Sequence, residues 1–324
     1  MTLQNIQHQL KDELAELNRL ISQSLLSNNE LMNRVIEGYL KKKGKQIRPI
    51  LVILSAKLFG GMNERVVSAA AAVEMLHNAS LIHDDVVDES KLRHSRPTIN
   101  SVWDNHIAVL VGDFFVSSSL ARALETEDLR IVHSIAQLGR LLSLGEIDQI
   151  YNARYHKLTE EAYFQIISRK TAALFVACVE MGGYAVNADP SQLDLLRRFA
   201  EYFGLCFQIR DDIFDYFDEG QIGKPTGNDL REGKITLPLL YALSREDLAE
   251  HDEMNRLSRK EELSAEDIDR LIAFARSAGG IEFAYSRMEQ LREKAAEALR
   301  FIDGPEEIKE TFLALIDFVI SRKA

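Results

Sequence analysis

The sequence predicts an all-α protein, on three observations: scarce proline, helical spacing of apolar residues from end to end, and helix starts and stops at the ends of those runs. Six of 324 residues are proline, and none lies between Pro97 and Pro190. A β-sandwich or barrel with turns every few residues rarely runs that far without one. Residues 3–26 set the helical pattern, with Leu3, Ile6, Leu10, Leu14, Leu17 and Ile21 three and four apart and charged residues between them. A second helix is predicted over 29–41, ending in Lys41, Lys42, Lys43 and Gly44, and Pro49 is placed to open a third. A long helix follows over 63–89, alanine-rich first and acidic at its end. After a polar connection with Arg93, Arg96 and Pro97, helices are expected near 100–124 and 126–153. The next runs from Thr159-Glu160-Glu161 to about Met181, before Gly182-Gly183. Pro190 starts another, expected to end near Asp218, and helix resumes near Pro238 after a loop with Gly220, Gly223, Pro225 and Gly227. No change of composition marks a linker, so one domain over 1–324 is expected.

Composition narrows the function. An apolar content of 46% supports a large core, and 50 carboxylates against 39 Lys and Arg give a formal charge of −11, unfavourable for general nucleic-acid binding. Cys178 and Cys206 are the only cysteines, and they form no Cys-x-x-Cys, so a zinc site or disulfide framework is not expected and a cytoplasmic setting fits. The N-terminal residues have no signal-peptide pattern, and no stretch approaches 18 uninterrupted apolar residues, so no transmembrane segment is expected.

The informative feature is Asp84-Asp85-Val86-Val87-Asp88, repeated 127 residues later as Asp211-Asp212-Ile213-Phe214-Asp215. At about 100° per residue, the first and last acids of each cluster fall about 40° apart on one helix face. Both clusters end apolar helical runs, where the helix dipole disfavours each acid by about 0.3–1 kcal/mol. One such cluster could be a solvated helix end; two with identical spacing point to a hard cation held by oxygen, Mg²⁺ rather than zinc or copper. Magnesium commonly completes its shell with phosphate oxygens, so a phosphorylated substrate is expected. His77 lies within about 20° of Asp84 around its helix, and Gln208 falls on the side of Asp211. Lys45, Arg48, Arg93, Lys170, Lys224 and Lys234 stand at helix ends or breaks, where cations can converge on an anion.

These residues resemble the trans-prenyl diphosphate synthases, of the long-chain octaprenyl-like type, over nearly the whole chain. The resemblance rests on Gly44 to Pro49, His77 to Ser90, Pro97-Thr98, Gly112-Asp113, Gly145-Glu146, Lys170-Thr171, Phe207-Gln208 with the second cluster, and Gly223-Lys224-Pro225 through Gly233-Lys234. It implies an all-α bundle around a central cavity with the aspartate motifs facing across its mouth, a homodimer, and delivery of product to a membrane. By position, Asp84, Asp88 and Asp211 would coordinate Mg²⁺, three ions with diphosphate bound, with Asp85, Asp212 and Asp215 supporting. Arg93, Lys170, Thr171, Gln208 and Lys224 resemble the allylic diphosphate site, and Lys45, Arg48 and His77 the isopentenyl diphosphate site. Lys234 resembles the basic residue of a closing loop. Where the family has Arg-Arg-Gly, this chain has Arg93-His94-Ser95, so His94 replaces a second arginine unless Arg96 does.

The implied reaction is head-to-tail condensation of isopentenyl diphosphate with an allylic diphosphate, farnesyl diphosphate being the expected primer, for quinone side chains. Four and five residues before the first motif, where short-chain enzymes place aromatics, stand Ser80 and Ala79, with Leu76 and Val73 beyond. These small and medium side chains imply a C30–C50 product. The alternatives are a short-chain farnesyl or geranylgeranyl diphosphate synthase and a noncatalytic regulatory subunit. Terpene cyclases fit less well, because their second motif differs; squalene-synthase-like enzymes lack the Gly44–Pro49 segment; a di-iron bundle needs Glu-x-x-His pairs that are not found.

Overall fold

A computed structural model describes residues 2–41, 44–93, 96–155, 159–217, 226–260 and 262–322. Nearly all regular structure among them is helical. The chain divides into two compact units, one of residues 1–140, 174–200 and 298–315, the other of 141–173, 201–297 and 316–324.

The first unit opens with α1 (Leu3–Gln9) and α2 (Lys11–Ser24), where one helix is predicted. The backbone departs from helical geometry at Leu10 (φ −103°, ψ 20°), yet Leu3, Ile6, Leu10, Leu14, Leu17 and Ile21 are all buried. The apolar stripe is therefore continuous across the break. Helix α3 (Glu30–Leu40) is capped by the Asn29 side chain, and α4 (Ile47–Phe59) follows a left-handed Gln46 at φ 53°. Pro49 lies in the first turn of α4, where its missing N–H leaves no bond unmade.

Helix α5 (Glu64–Val87) is the centre of this unit, packed against α2, α4 and, most extensively, α7 (Asn105–Leu124). Ala69, Ala70, Ala71 and Ala72 are all fully buried, and their small side chains let helices approach α5 from several sides. After α5 the polar connection forms a two-residue antiparallel ladder, Leu92–Arg93 with Arg96–Pro97, a feature the helical pattern does not anticipate. Helix α6 (Ile99–Val102) follows and leads into α7, which is capped by Asp104. Ser119 Oγ donates to the Ala72 carbonyl at 2.6 Å, tying α7 to α5. Next come α8 (Leu129–Tyr155) and α9 (Glu160–Ile167), whose N-cap is Thr159, as its sequence suggests.

A π-helical turn, Ser168–Ala172, separates α9 from α10 (Ala173–Ala185). The expected stop before Gly182-Gly183 does not occur; the helix continues through both glycines. They serve close packing. A Cβ on Gly182 would collide with the Val52 carbonyl oxygen and lie 2.9 Å from Ser55 Cβ, and one on Gly183 would lie 2.6 Å from Leu193 Cδ1. The helix starting at Pro190, α11 (Pro190–Phe214), ends before Asp215 instead of near Asp218.

The second unit continues with α12 (Asn228–Arg231), α13 (Leu237–Leu243), α14 (His251–Leu257) and α15 (Ala265–Ser277), the last opened by a Ser264–Asp267 capping box. Helix α13 packs against α9, α14 and α15. Two further helices, α16 (Gly280–Arg300) and α17 (Glu306–Ser321), complete the regular structure of the described residues. Cys178 and Cys206 are both fully buried with free thiols, and burial pushes the Cys206 thiol up to about 12.

Because backbone cannot yield as a flexible side chain can, Gly182→Ala is expected to destabilise the fold by about 1–3 kcal/mol. A lower urea midpoint with an unchanged slope is the expected readout.

Candidate active site

In the first unit the aspartate cluster ends α5. Asp84 lies in its last turn and Asp88 is the C-cap, exposed to solvent. Asp85 points the other way: it is 5% exposed, and Arg93 Nε donates to its Oδ1 at 2.8 Å. Its carbonyl accepts from Asn100 Nδ2 at 3.1 Å and from the Ser90 N–H at 2.9 Å. The two-residue ladder thus brings Arg93 back beside the cluster. Immediately before the cluster, His83 packs on α7, its Nε2 3.2 Å from the Val109 carbonyl and 3.4 Å from Asp113 Oδ1. A Cβ at Gly112 would occupy the space of that imidazole, which gives the Gly112-Asp113 pair its packing role.

Near the middle of α5, burial and the positive charges of Arg48 and Arg93 hold the His77 imidazole well below the usual histidine range. His77 is therefore neutral at physiological pH, a hydrogen-bonding group and not a third cation. Arg48 lies over the Phe175 ring at 5.3 Å, and Glu74, pushed up by burial, feels the same guanidinium. Lys45 is exposed, just before the left-handed Gln46. Of the residues expected from the sequence to bear on chain length, Ala79 and Val73 are fully buried, Leu76 is 6% exposed, and Ser80 is half-buried with its hydroxyl on the His77 carbonyl.

In the second unit a cavity of about 130 Å³ is lined by Lys170, Thr171, Gln208, Asp212 and Lys234, all named by the sequence. A chain of hydrogen bonds runs along it: Thr171 Oγ1 donates to Gln208 Oε1 at 2.6 Å, Gln208 Nε2 to Asp212 Oδ1 at 2.7 Å, and Tyr163 Oη to Asp212 Oδ2 at 2.6 Å. Burial is the main cause that raises Asp212 to about 7, with Asp211 and Asp215 adding repulsion against the two donors. Asp229, also on the cavity wall, is pushed up by burial and then by Asp212 and Asp215. Asp211 is more open and pairs with Arg322 at 2.5 Å, whose guanidinium lies 4.1 Å above the Phe207 ring.

Asp215 has a structural task that its spacing does not announce. It lies beyond the end of α11, and its carboxylate caps α12, accepting from the N–H groups of Asn228 at 2.8 Å and Asp229 at 3.0 Å. It anchors the segment that carries Asp229 and Lys234. Lys234 itself pairs with Glu232. His94 and Lys224 lie outside the described residues. Sequence reasoning missed Tyr163, Asn152 and Asp229 on the cavity wall; Asp229 falls inside a segment already quoted, whereas nothing local marks Tyr163.

The donor set suits a hard cation, since the aspartate clusters offer carboxylate oxygen without cysteine and with no histidine ligand. Among the described residues no three acidic or histidine side chains form a ready-made metal centre. Carboxylate oxygens of this kind suit an ion that keeps several waters and can take phosphate oxygens as further ligands.

Residues 29–275 match the family described as Polyprenyl synthetase. The octaprenyl diphosphate synthase of Escherichia coli (strain K12) is 32% identical, covering 99% of both chains. Among solved structures, the polyprenyl synthase of Caulobacter crescentus CB15, complexed with calcium and isoprenyl diphosphate, superposes with a TM-score of 0.92 at 31% identity, covering 100% of this chain and 98% of that one. A geranylgeranyl pyrophosphate synthase from Bacteroides thetaiotaomicron is 36% identical with a TM-score of 0.83, over 98% of both chains. Matching helices, repeated aspartate clusters and full-length relatives agree: the chain belongs to the polyprenyl synthetase family and is a prenyltransferase, a trans-polyprenyl diphosphate synthase.

Proposed function

We propose that the chain extends an allylic diphosphate, farnesyl diphosphate as primer, by successive additions of isopentenyl diphosphate to a C30–C50 product, with Mg²⁺ as its cation. The observation that carries this reading is the cavity on which Lys170, Thr171, Gln208 and Lys234 stand together beside the second aspartate cluster. Calcium and isoprenyl diphosphate in the Caulobacter relative support a divalent cation and this substrate class. One synthase domain over 1–324 is supported by relatives aligned along the whole chain.

Asp84, Asp88 and Asp211 are the proposed Mg²⁺ ligands, three ions being held once diphosphate is bound. When bound, Mg²⁺ neutralises the negative charge that develops on the leaving diphosphate. Arg93, Lys170 and Lys224 are proposed to bind diphosphate oxygens by charge-assisted hydrogen bonds, and Thr171 and Gln208 to orient the ester end. Asp85, Asp212 and Asp215 support, the first through Arg93 and the last by holding the segment that carries Asp229 and Lys234. Lys45, Arg48 and neutral His77 fix isopentenyl diphosphate, with His94 in place of the family's second arginine, so that its double bond stands near the allylic carbon and attack is effectively intramolecular. The departing diphosphate takes the proton lost from the new C5 unit, and the longer allylic diphosphate re-enters the cycle.

Identity does not sort chain length, since the geranylgeranyl relative is as similar as the octaprenyl one. Side-chain volume supports the long product. Ala79 and Ser80 put no aromatic side chain four and five residues before the first motif, and Leu76 and Val73 are the next residues along that side of the helix.

A homodimer is proposed from α7. Its inner face, Ala108, Val111, Phe115, Ser118 and Ser119, is buried, while Val109, Leu110, Val116, Leu120 and Leu124 are 39–59% exposed along the other. By length and composition Asn105–Leu124 and Glu160–Ala185 could each cross a membrane. Extensive packing of α7 on α5, and Lys170 on the cavity wall in the second stretch, support instead a chain without transmembrane segments. A cytoplasmic enzyme that delivers its product to a membrane is consistent with two buried, free thiols.

Asp84→Asn and Asp211→Asn are each expected to lower kcat by about 10²–10³-fold, the loss typical of removing a group that stabilises developing charge; purified variants assayed across a Mg²⁺ titration check it. Ser80→Phe is expected to shorten the product while the first condensation continues. Chromatography of the extracted prenyl chains reads this, and it is a cleaner test than Ala79→Tyr, whose ring would enter a fully packed position. Leu120→Glu with Leu124→Glu is expected to convert dimer to monomer by light scattering.

A further inference from the structure

Two consecutive cations, Arg169 and Lys170, sit on the π-helical turn, and only Lys170 lines the cavity. A π-turn inserts an extra residue into the helical register, so which of the two cations faces inward has to be fixed from outside. One turn of α8 meets both. A Cβ on Gly145 would lie 2.7 Å from the Lys170 amide nitrogen and 3.0 Å from its Cα, so only glycine lets the two backbones approach this closely. Glu146 Oε2 lies 2.5 Å from Lys170 Nζ, and Gln149 Oε1 accepts from the same ammonium at 2.7 Å. Glu146 and Gln149, three apart, share a helix face. Between them Asp148 Oδ2 takes the neighbouring Arg169 Nη1 at 2.5 Å.

We propose that the Gly145–Gln149 turn is a positioning device for Lys170. Gly145 sets the depth of the π-turn, Asp148 draws Arg169 away, and Glu146 with Gln149 orients the Lys170 ammonium towards a diphosphate oxygen. An ammonium carries three donors, and this grip takes two, leaving a third for the substrate. The Lys170 and Glu146 side chains are 28% and 20% exposed, and a partly solvated ion pair adds little to fold stability, which leaves orientation as its contribution. The proposal rests on reading Lys170 as a diphosphate ligand. Glu146 and Gln149 act through Lys170 and are positioning residues.

The test is a double-mutant cycle on the full chain, with farnesyl diphosphate varied at saturating isopentenyl diphosphate and Mg²⁺. Lys170→Ala is expected to lower kcat/KM for the allylic substrate by about 10²-fold, and Glu146→Ala by about tenfold, with unchanged melting temperatures. Glu146→Gln, which keeps an oxygen acceptor, is expected to return within about threefold of the parent. In the Lys170→Ala background Glu146→Ala should cost nothing further, since residues acting through one group are not additive. An unaffected Lys170→Ala variant overturns the reading of Lys170 and the proposal with it. An impaired Lys170→Ala beside a normal Glu146→Ala, multiplying losses in the double variant, or no recovery with glutamine overturns the positioning role alone.

Discussion

Neighbouring carboxylates at the carboxyl end of a helix repel each other and oppose the helix dipole, so a sequence that places three acids there must separate their environments. In both clusters the middle acid is withdrawn into the protein. Asp85 is met by Arg93, a cation, and Asp212 by Tyr163 and Gln208, neutral donors. The first acid of each cluster remains more open, Asp211 being 41% exposed at its side chain. The different partners have different electrostatic results: a guanidinium compensates the charge on Asp85, whereas hydroxyl and amide donors leave Asp212 raised by burial. Much of each unit's local architecture follows from supplying those partners. The ladder of Leu92–Arg93 with Arg96–Pro97 returns Arg93, and the junction of α9 with α11 supplies Tyr163.

The last acids part company as well. Asp88 ends its helix in solvent, whereas Asp215 is committed to backbone N–H groups of the segment after it. Identical spacing in sequence therefore conceals two local designs. In the first unit the third acid stands at the solvent-facing end of its helix; in the second it fastens a segment of the cavity wall.

The helical body and the polar groups of the site were legible because both depend on short-range signals. Apolar spacing, N-cap residues such as Thr159 and Ser264, and the Asp-Asp-x-x-Asp repeat all act within one or two turns. What escaped depends on partners far away in sequence. Glycine reads locally as a helix stop, but Gly182 exists for Val52 and Gly145 for Lys170, contacts that no local window contains. Tyr163 looks like any core aromatic until Asp212 is opposite it, and the spacing of the cluster does not show that the Asp215 carboxylate also accepts from the N–H groups of Asn228 and Asp229. The break at Leu10 escaped for another reason: the buried stripe continues through it, so hydrophobic periodicity does not register the departure from helical backbone geometry.

The two cysteines, buried and with thiols that resist ionisation, have a practical meaning. Alkylating reagents attack thiolate, and neither side chain offers it at neutral pH or lies within a reagent's reach. The native chain is in effect already a silent background for thiol labelling. A single cysteine introduced on an exposed helix would carry a fluorophore or spin label alone, without first replacing core residues whose removal would leave cavities.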